Sequence, residues 1–409
     1  MLNLKKILLA TNHLHTLGGT ETFTFALAEQ LVELGYTVDL FSFNYGEASE
    51  RIKHKVKIIN NLDELADFYH IAIVSHNTCI EKIPFNAYIT AQICHGTTAE
   101  LEQPSPLADI YISISEEVHT HLVSLGYASK VIRNGIDCRR FFPETPVNGR
   151  LTKVLSLCQS AEANTKLKKA CETLNIDFSY LNKHTNSVWE TEKYINEADL
   201  VVSLGRGAYE AMASGRSVLV YDERIYTKGG DGILTRQNIN ELIRYNLSGR
   251  FTKKQYTVSD LISELEKYDK NQGSFNRAYA LEHLNIYHNT KQIIKYCTKN
   301  IPVNFLFRKA YSFDSIYNGK FIHGASSKTT WEVNRGIKTL ITSPEHMTSR
   351  MQALYQTSEW RYEIVSEDVI NNIPTISEFN KRNSPKKATV LMLLIRNKIK
   401  TLYTSFFTN

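Results

Sequence analysis

Two apolar runs flank a glycine-rich turn in Leu200–Asp222, LVVSLGRGAYEAMASGRSVLVYD. The runs LVVSL and SVLVYD have the length and the β-branched content of buried strands. The segment between them has the length of a short helix, and the sequence GRG at 205–207 ends the first strand. A strand, a helix and a second strand in this order predict a pair of parallel strands joined over one face of a sheet.

The same alternation extends over most of the chain. A segment rich in Pro and Gly, Phe141–Gly149, interrupts it, and it restarts at Lys153. The apolar runs of strand length before this segment are Lys5–Asn12, Thr37–Phe43, Ile71–His76, Tyr88–His95, Ile110–Ser115 and Lys130–Asp137. The pattern predicts an α/β protein with two domains, residues 1–150 and 151–285, each built on a parallel sheet covered by helices.

Residues 286–409 are predicted to form a helical, basic extension. From residue 285 onward the chain has 18 Lys and Arg against 8 Asp and Glu, whereas residues 1–284 have a net charge of −4. Ser343 and Pro344 are typical of a helix start, and Met347 and Met351 would share one face of that helix. The segment from Lys386 onward has five basic residues and no acidic one. It is predicted to dock on an anionic membrane surface, or else to form a last helix packed on the domains.

The composition is that of an ordinary globular protein, with 42% hydrophobic and 22% charged residues. Its six cysteines include no CxxC pair, so we expect reduced thiols in the core rather than a disulfide framework or a metal site. The apolar run near the amino terminus is shorter than the ~7–15 residues of a signal peptide, and no run approaches the ~20 apolar residues of a membrane span. These features favour a cytoplasmic protein.

Two loops have the form of an anion-binding turn before a helix. Gly18 and Gly19 in HLHTLGGTET would let the backbone approach a phosphate, and so would Gly207. Arg206 adds a guanidinium that can donate two hydrogen bonds to phosphate oxygens. Alternatively, each glycine pair only makes a tight turn between a strand and a helix. Two such loops, one in each domain, favour a ligand with negative charge held between the domains.

Several segments, in order and spacing, resemble the GT-B glycosyltransferases of the family 4 type. The resemblance covers roughly residues 5–300, and the segments NGID…FFP and EAMASG are its most specific parts. The segments that carry it are Leu17–Ser42, Ile93–Thr98, Ala108–Val118, Gly126–Pro143 and Ala198–Asp222.

The resemblance implies that both domains are Rossmann-like and doubly wound, and that a nucleotide diphosphate sugar binds in a cleft between them. Gly18 and Gly19 would face the donor phosphates and the acceptor. His95 in ICHG would match the histidine at the reaction centre, although it can also be a histidine of the core. Glu210 would match the second acid of the family's Glu-x7-Glu motif, which holds the nucleotide ribose, although it can also cap its helix or pair within it.

The chain departs from the family pattern at two places. The first acid of Glu-x7-Glu would fall eight residues before Glu210, where this chain has Val202. The Gly-Arg and Lys that follow the first strand of the second domain in the family are also missing from LSLCQSAEANTK. We expect Arg206, together with Lys166 or Arg216, to replace these cations.

The resemblance therefore implies a glycosyltransferase that moves a sugar to a cell-surface glycan or a lipid-linked acceptor. No metal and no other cofactor is expected, nor is a nucleic acid partner, and retention of the anomeric configuration would follow the family. A nucleotide-sugar epimerase or hydrolase on the same fold is an alternative. A catalytically silent nucleotide-sugar binder that scaffolds glycan assembly is another.

Overall fold

The structure is a computed structural model. It describes residues 5–83, 85–224, 229–301, 320–334, 337–355 and 359–372. The predicted membrane-docking segment from Lys386 onward lies outside the described residues and stays a prediction. Within the described ranges, every helix is too short or too polar to cross a bilayer.

The first domain contains a seven-stranded sheet in which all the strands are parallel. Its order is β3-β2-β1-β4-β5-β6-β7. The strands are β1 (Lys6–His13), β2 (Thr37–Asn44), β3 (Lys57–Ile59), β4 (Ile71–Val74), β5 (Thr90–Cys94), β6 (Ile110–Ser113) and β7 (Ser129–Val131). The helices are α1 (Gly19–Glu33), α2 (Glu47–Ile52), α3 (Asn77–Lys82) and α4 (Glu116–Ser124). The strand order reverses between β1 and β4.

The second domain contains a five-stranded sheet of order β12-β11-β10-β8-β9, parallel except for β12. Its strands are β8 (Lys153–Ser156), β9 (Asp177–Tyr180), β10 (Leu200–Ser203), β11 (Ser217–Asp222) and β12 (Gly229–Ile233). Its helices are α5 (Ala161–Thr173), α6 (Thr191–Glu197), α7 (Arg206–Ala213), α8 (Ile239–Leu242), α9 (Val258–Leu265) and α10 (Lys270–His283). Here the order reverses between β8 and β10.

Both sheets are buried between helices, as the near-continuous apolar runs predict. The strands β4 and β5 are buried at every position, and so are β10 and β11. The two domains direct the carboxyl ends of their parallel strands toward one cleft. This is the GT-B arrangement, so the predicted fold class is confirmed. All six cysteines are free and buried, so their predicted location in the core is confirmed.

The chain returns to the first domain after α10. The next helix, α11 (Ile286–Lys299), places Ile286, Ile293 and Cys297 in the hydrophobic core of the first domain. Gly135 makes this return possible, because a Cβ at that position would lie 2.5 Å from the Cα of Ile286. The glycine of the NGID segment is therefore required by the packing of α11.

The described part of the extension contains helices, as predicted, and also a small sheet that the sequence analysis did not anticipate. The helix α12 (Pro344–Tyr355) begins at the predicted residue, and Ser343 Oγ accepts a hydrogen bond from the backbone N–H of His346. Met347 and Met351 are buried. The other elements are β13 (Lys320–Gly324), β14 (Thr330–Asn334), β15 (Ile337–Leu340), β16 (Glu363–Val365) and α13 (Glu367–Asn372), with sheet order β15-β14-β13-β16.

One buried carboxylate fixes the connection into the second domain. Asp199 is 3% exposed and accepts hydrogen bonds from the backbone N–H groups of Asn148, Thr152 and Lys153 at 2.8, 2.9 and 3.0 Å. Burial raises the pKa of Asp199, but these hydrogen bonds outweigh it, so the pKa lies below its ordinary value.

We predict that Asp199→Ala lowers the free energy of unfolding by about 2 to 3 kcal/mol at pH 7, the range for hydrogen bonds to a charged group. Because the folded-state pKa is depressed, the advantage of the wild type persists above pH 3.8 and is lost as the pH falls further. Denaturant unfolding followed by tryptophan fluorescence measures both effects. Asp199→Asn keeps one acceptor oxygen and should lose less; equal stability of all three proteins would contradict the prediction.

Candidate active site

A cleft of about 610 Å³ lies between the two domains. All six residues predicted from the sequence as site residues line it: Gly18, Gly19, His95, Arg206, Gly207 and Glu210. The structure therefore brings together residues that are as far apart as 192 positions in the sequence. The structure gives the contacts of these six residues with the rest of the protein. Their roles in binding a ligand are predictions.

The topology of the two sheets explains why these residues meet. Ligands of parallel α/β sheets bind beyond the carboxyl ends of the strands, at the point where the strand order reverses. In the second sheet this point lies between β8 and β10, which are followed by Gln159 and Arg206 in the cleft lining. In the first sheet the loop after β1 contains Gly18 and Gly19, and His95 directly follows β5.

The glycines of the GRG turn are required by the backbone and by packing. Gly205 has φ +56°, a conformation that side chains other than glycine rarely adopt. A Cβ at Gly207 would contact the Ser203 hydroxyl and lie 3.2 Å from Leu157 Cδ1. These two glycines allow α7 to begin immediately beyond β10, so that Arg206 is the first residue of the helix and lies at the cleft.

Arg206 and Glu210 form an ion pair in the wall of the cleft. Arg206 Nε lies 3.0 Å from Glu210 Oε1, and the two side chains are only 9% and 11% exposed. Arg206 Nη1 also donates to the carbonyl of Gly135 at 3.1 Å, across to the first domain. Burial lowers the pKa of Arg206 and raises that of Glu210, and each partner's charge opposes the shift of the other. The sequence left open whether Glu210 pairs within its own helix. The structure shows this ion pair at the amino-terminal end of α7.

His95 presents a buried ring nitrogen to the cleft without a protein partner. Asn134 Nδ2 lies 3.4 Å from His95 Nδ1, and within the described part of the chain His95 Nε2 has no hydrogen-bond partner. In this amide orientation Nδ1 accepts, so the neutral ring has its proton on Nε2. Burial lowers the pKa of His95 to about 4, with a further contribution from the charge of Arg206. His95 is therefore neutral near pH 7 and can donate a hydrogen bond to a ligand oxygen.

Glu102 is a cleft residue that the sequence analysis missed. It lies on a 3₁₀ turn, Glu100–Glu102, and its carboxylate packs against Gly96, next to His95. Burial raises the pKa of Glu102 to about 7; the charge of Glu21 adds to this shift and Arg250 opposes it. The signal that identifies Glu102 is its position in the loop that follows β5, the same loop that begins with His95.

The sequence analysis also missed two cations in the cleft, Lys183 and Arg224, which follow β9 and β11. Burial and the charge of Arg224 lower the pKa of Lys183, and Glu21 opposes this. Arg224 pairs with Asp222 at 2.6 Å. Because the positive charge of Arg224 acts on Lys183, an anion between the two side chains would be favoured.

The prediction that Lys166 or Arg216 serves a ligand in the cleft is wrong. Lys166 pairs with Glu223 at 2.9 Å and with Glu162 at 3.0 Å and does not line the cleft. Arg216 is 1% exposed and donates to Asn196 Oδ1 at 2.6 Å and to the carbonyl of Thr145 at 2.8 Å. Both side chains hold the second domain together.

Val202, at the position of the first acid of the family motif, lies in β10 as predicted. Its side chain is fully buried in the core beneath the sheet. No carboxylate at the cleft can come from this position in the present register of β10.

The two domains also touch across the cleft. Arg250 of the second domain forms a two-pronged ion pair with Glu117 of α4, at 2.7 and 2.5 Å. On the other side, the Trp189 ring packs edge-on against Phe25 at 4.7 Å between ring centroids, and the Arg51 guanidinium lies 4.8 Å from the Trp189 ring. These contacts enclose the polar groups described above.

No family model and no curated protein matches this sequence. Among solved structures, the chain is similar to a glycosyltransferase from Rickettsia africae ESF-5, with 12% identity over 73% of this chain and 99% of that one and a TM-score of 0.47. It is similar to Anabaena Alr3699/HepE in complex with UDP and glucose, with 14% identity over 71% and 99% of the chains and a TM-score of 0.46. A putative UDP-N-acetylglucosamine 2-epimerase from Listeria monocytogenes is similar at 11% identity over 74% and 97% of the chains, with a TM-score of 0.43. At these identities the likeness concerns the fold.

We predict that Glu102→Gln stabilises the protein at pH 8 by roughly 1 to 3 kcal/mol, because the folded state no longer has to hold a buried carboxylate. The sign follows from the raised folded-state pKa: the wild type loses stability as the pH rises from 4.5 toward about 7. At pH 4.5 and below the two proteins should be equally stable. Thermal melts across this pH range provide the measurement, with the exposed Glu172→Gln as the control; a constant difference at all pH values would contradict the prediction.

Proposed function

We propose that this protein is a glycosyltransferase that moves a sugar from a nucleotide diphosphate sugar to a glycan or lipid-linked acceptor. The observation that supports it most directly is the composition of the cleft. The second domain contributes the cations Lys183, Arg206 and Arg224, and the first domain contributes the unpartnered His95 Nε2 and the carboxylate of Glu102.

The donor would bind on the side of the second domain. Its diphosphate would lie near Arg206 and the free backbone N–H groups of the first turn of α7, with Lys183 and Arg224 close by. The hydrogen bond that Arg206 makes within the described ranges uses Nη1, which leaves Nη2 to donate to a phosphate oxygen. Glu210 uses Oε1 for Arg206 and would bind the ribose hydroxyls through its other oxygen.

The turn at Gly18 and Gly19 would approach the donor from the first domain. Gly19 faces Arg206 so closely that a Cβ at Gly19 would lie 3.9 Å from Arg206 Cβ. The carboxylate of Glu21 accepts a hydrogen bond from its own backbone N–H at the start of α1. An anionic ligand at α1 would compete with this carboxylate, which favours the second domain as the main phosphate site.

The transfer would proceed without a metal. The acceptor oxygen forms a bond to the anomeric carbon, and the bond from that carbon to the phosphate oxygen breaks. The nucleoside diphosphate leaves with the electron pair and takes the hydroxyl proton from the same face, with retention of configuration. Lys183, Arg206 and Arg224 would stabilise the charge that develops on the leaving diphosphate, and His95 would donate to an oxygen of the sugar or the phosphate.

A catalytically silent nucleotide-sugar binder is the second candidate, and Val202 favours it. The position of the first acid is occupied by a core valine, so one side chain of the family's site is missing. A panel of nucleotide sugars in thermal-shift experiments tests both candidates, because a ligand at ~100 Kd adds about 2.7 kcal/mol to the folded state. Binding followed by release of nucleoside diphosphate supports the enzyme; binding without turnover over a range of acceptors supports the silent binder.

We predict that Arg206→Met and Lys183→Met each weaken binding of a nucleoside diphosphate about ten- to a hundredfold, since each removes a charged hydrogen bond of about 1.5–3 kcal/mol. Both should weaken the nucleoside monophosphate less, whereas Glu210→Gln should weaken both ligands alike, because both contain the ribose. Isothermal titration calorimetry measures the affinities. The exposed Lys168→Met is the matched control, and changes below about threefold for all three variants would place the donor elsewhere.

We predict that His95→Ala lowers turnover at least ~100-fold, a loss typical of removing one donor to a developing negative charge. Donor affinity should stay within about threefold, because the cations of the second domain are unchanged. Steady-state release of nucleoside diphosphate and calorimetry give the two quantities. A variant that melts several degrees lower and keeps its specific activity would show instead that His95 only fills the core.

A further inference from the structure

A buried arginine joins the extension to the first domain. Arg350 of α12 is 3% exposed and pairs with Glu332 of β14 at 2.7 Å through Nη2. Its Nε donates to the other oxygen of Glu332 at 2.8 Å. Nη2 also contacts the carboxylate of Glu81, which lies on α3 of the first domain. Arg350 is therefore shared between carboxylates of two different parts of the chain.

Arg350 is also connected by hydrogen bonds to the turn that contains Glu102. Arg350 Nη1 donates to Asn77 Oδ1 at 3.3 Å, and Asn77 Nδ2 donates to the carbonyl of Glu100 at 2.7 Å. Arg350 Nη1 also lies 3.9 Å from Glu100 Oε1, and His346 Nε2 lies 4.0 Å from the same oxygen. The 3₁₀ turn Glu100–Glu102 is thus held from the side of the extension by both its backbone and its side chain.

The other end of this turn faces the cleft. The Glu102 carboxylate packs on Gly96 and lines the cleft beside His95. Within the described residues, no hydrogen bond or ion pair within 4 Å holds the Glu102 carboxylate. Its location therefore depends on the backbone of the turn, which Asn77 and Arg350 hold in place.

The energetics favour a positioning role over a purely stabilising one. An arginine buried among several carboxylates loses much of its hydration, and apolar side chains of similar volume often stabilise a protein as well or better. A guanidinium offers instead five donors in a rigid plane, which fix the relative position of several acceptors. Here those acceptors lie on α3 and on β14. One of them, Asn77, also connects Arg350 to Glu100 in the turn at the cleft.

We propose that Arg350 is a positioning residue: through Asn77 and Glu100 it holds the turn that places Glu102 beside His95, where Glu102 hydrogen-bonds to the attacking hydroxyl of the acceptor. This role rests on the proposed glycosyltransferase function. It assigns the extension a part in the acceptor side of the site, although the described residues of the extension do not line the cleft.

The test uses the full chain and the nucleotide sugar that gives the largest thermal shift, with water as the acceptor. We expect Arg350→Met and Asn77→Ala each to raise amide hydrogen exchange in residues 97–103 at least about tenfold, because the turn opens more often. Each should lower the release of nucleoside diphosphate at least about tenfold while donor affinity stays within about threefold. Lys320→Met, which breaks an exposed ion pair with Glu363 in the same extension, is the matched control and should change neither.

A double-mutant cycle separates positioning from general structural damage. If Arg350 acts through Glu102, Arg350→Met lowers release in the wild-type background and not in the Glu102→Ala background. Equal losses in both backgrounds, or unchanged exchange in residues 97–103, would overturn the proposal. Asn77→Ala decides the question in the same cycle if Arg350→Met does not fold.

If the wild type binds no nucleotide sugar, the proposed function is wrong and the role of Glu102 is wrong as well. If the wild type binds and turns over a nucleotide sugar but the cycle is additive, only the role of Arg350 is overturned.

Discussion

Parallel strands place all their carboxyl ends at one edge of the sheet, and the rest of this molecule depends on that constraint. Each connection must cross a face of the sheet, so each loop after a strand returns to the same edge. In the first domain this edge carries the Gly18–Gly19 turn and His95; in the second it carries Lys183, Arg206 and Arg224. Because the two edges face each other, one cleft collects polar groups from at least five strands.

The return of α11 to the first domain holds the two edges in this relation. Ile286, Ile293 and Cys297 of α11 are part of the core of the first domain, although they follow the whole second domain in sequence. Gly135 leaves room for the start of α11, and its carbonyl accepts from Arg206. The backbone at Gly135 therefore contributes both to the packing of α11 on the first domain and to the wall of the cleft.

The enclosed cleft changes the chemistry of the groups within it. Burial lowers the pKa of His95 to about 4 and raises that of Glu102 to about 7, so these two cleft side chains of the first domain differ from their behaviour in water. The buried pair of Arg206 and Glu210 has the same origin, since neither charge can be left alone in this environment. The interdomain contacts of Arg250 and Trp189 maintain that environment by covering the cleft from two sides.

The sequence by itself determined the elements and their class. Apolar runs located the strands of both parallel sheets, and Ser343 and Pro344 located the start of α12, because burial on both faces and helix starts leave local patterns. The loops after strands also pointed to Gly18 and Arg206, and the family resemblance pointed to His95 and Glu210; all four line the cleft.

Only the tertiary structure decided which charges meet. In the structure Lys166 and Arg216 lie outside the site, whereas Lys183, Arg224 and Glu102 lie in it. The sequence could not show this, because ion pairing depends on distances between loops that are far apart in sequence. The contact of Arg350 with Glu81 was hidden for the same reason, because the two residues lie 269 positions apart. A local pattern records whether a side chain is buried, but the partner that makes its burial possible is fixed only when the chain has folded.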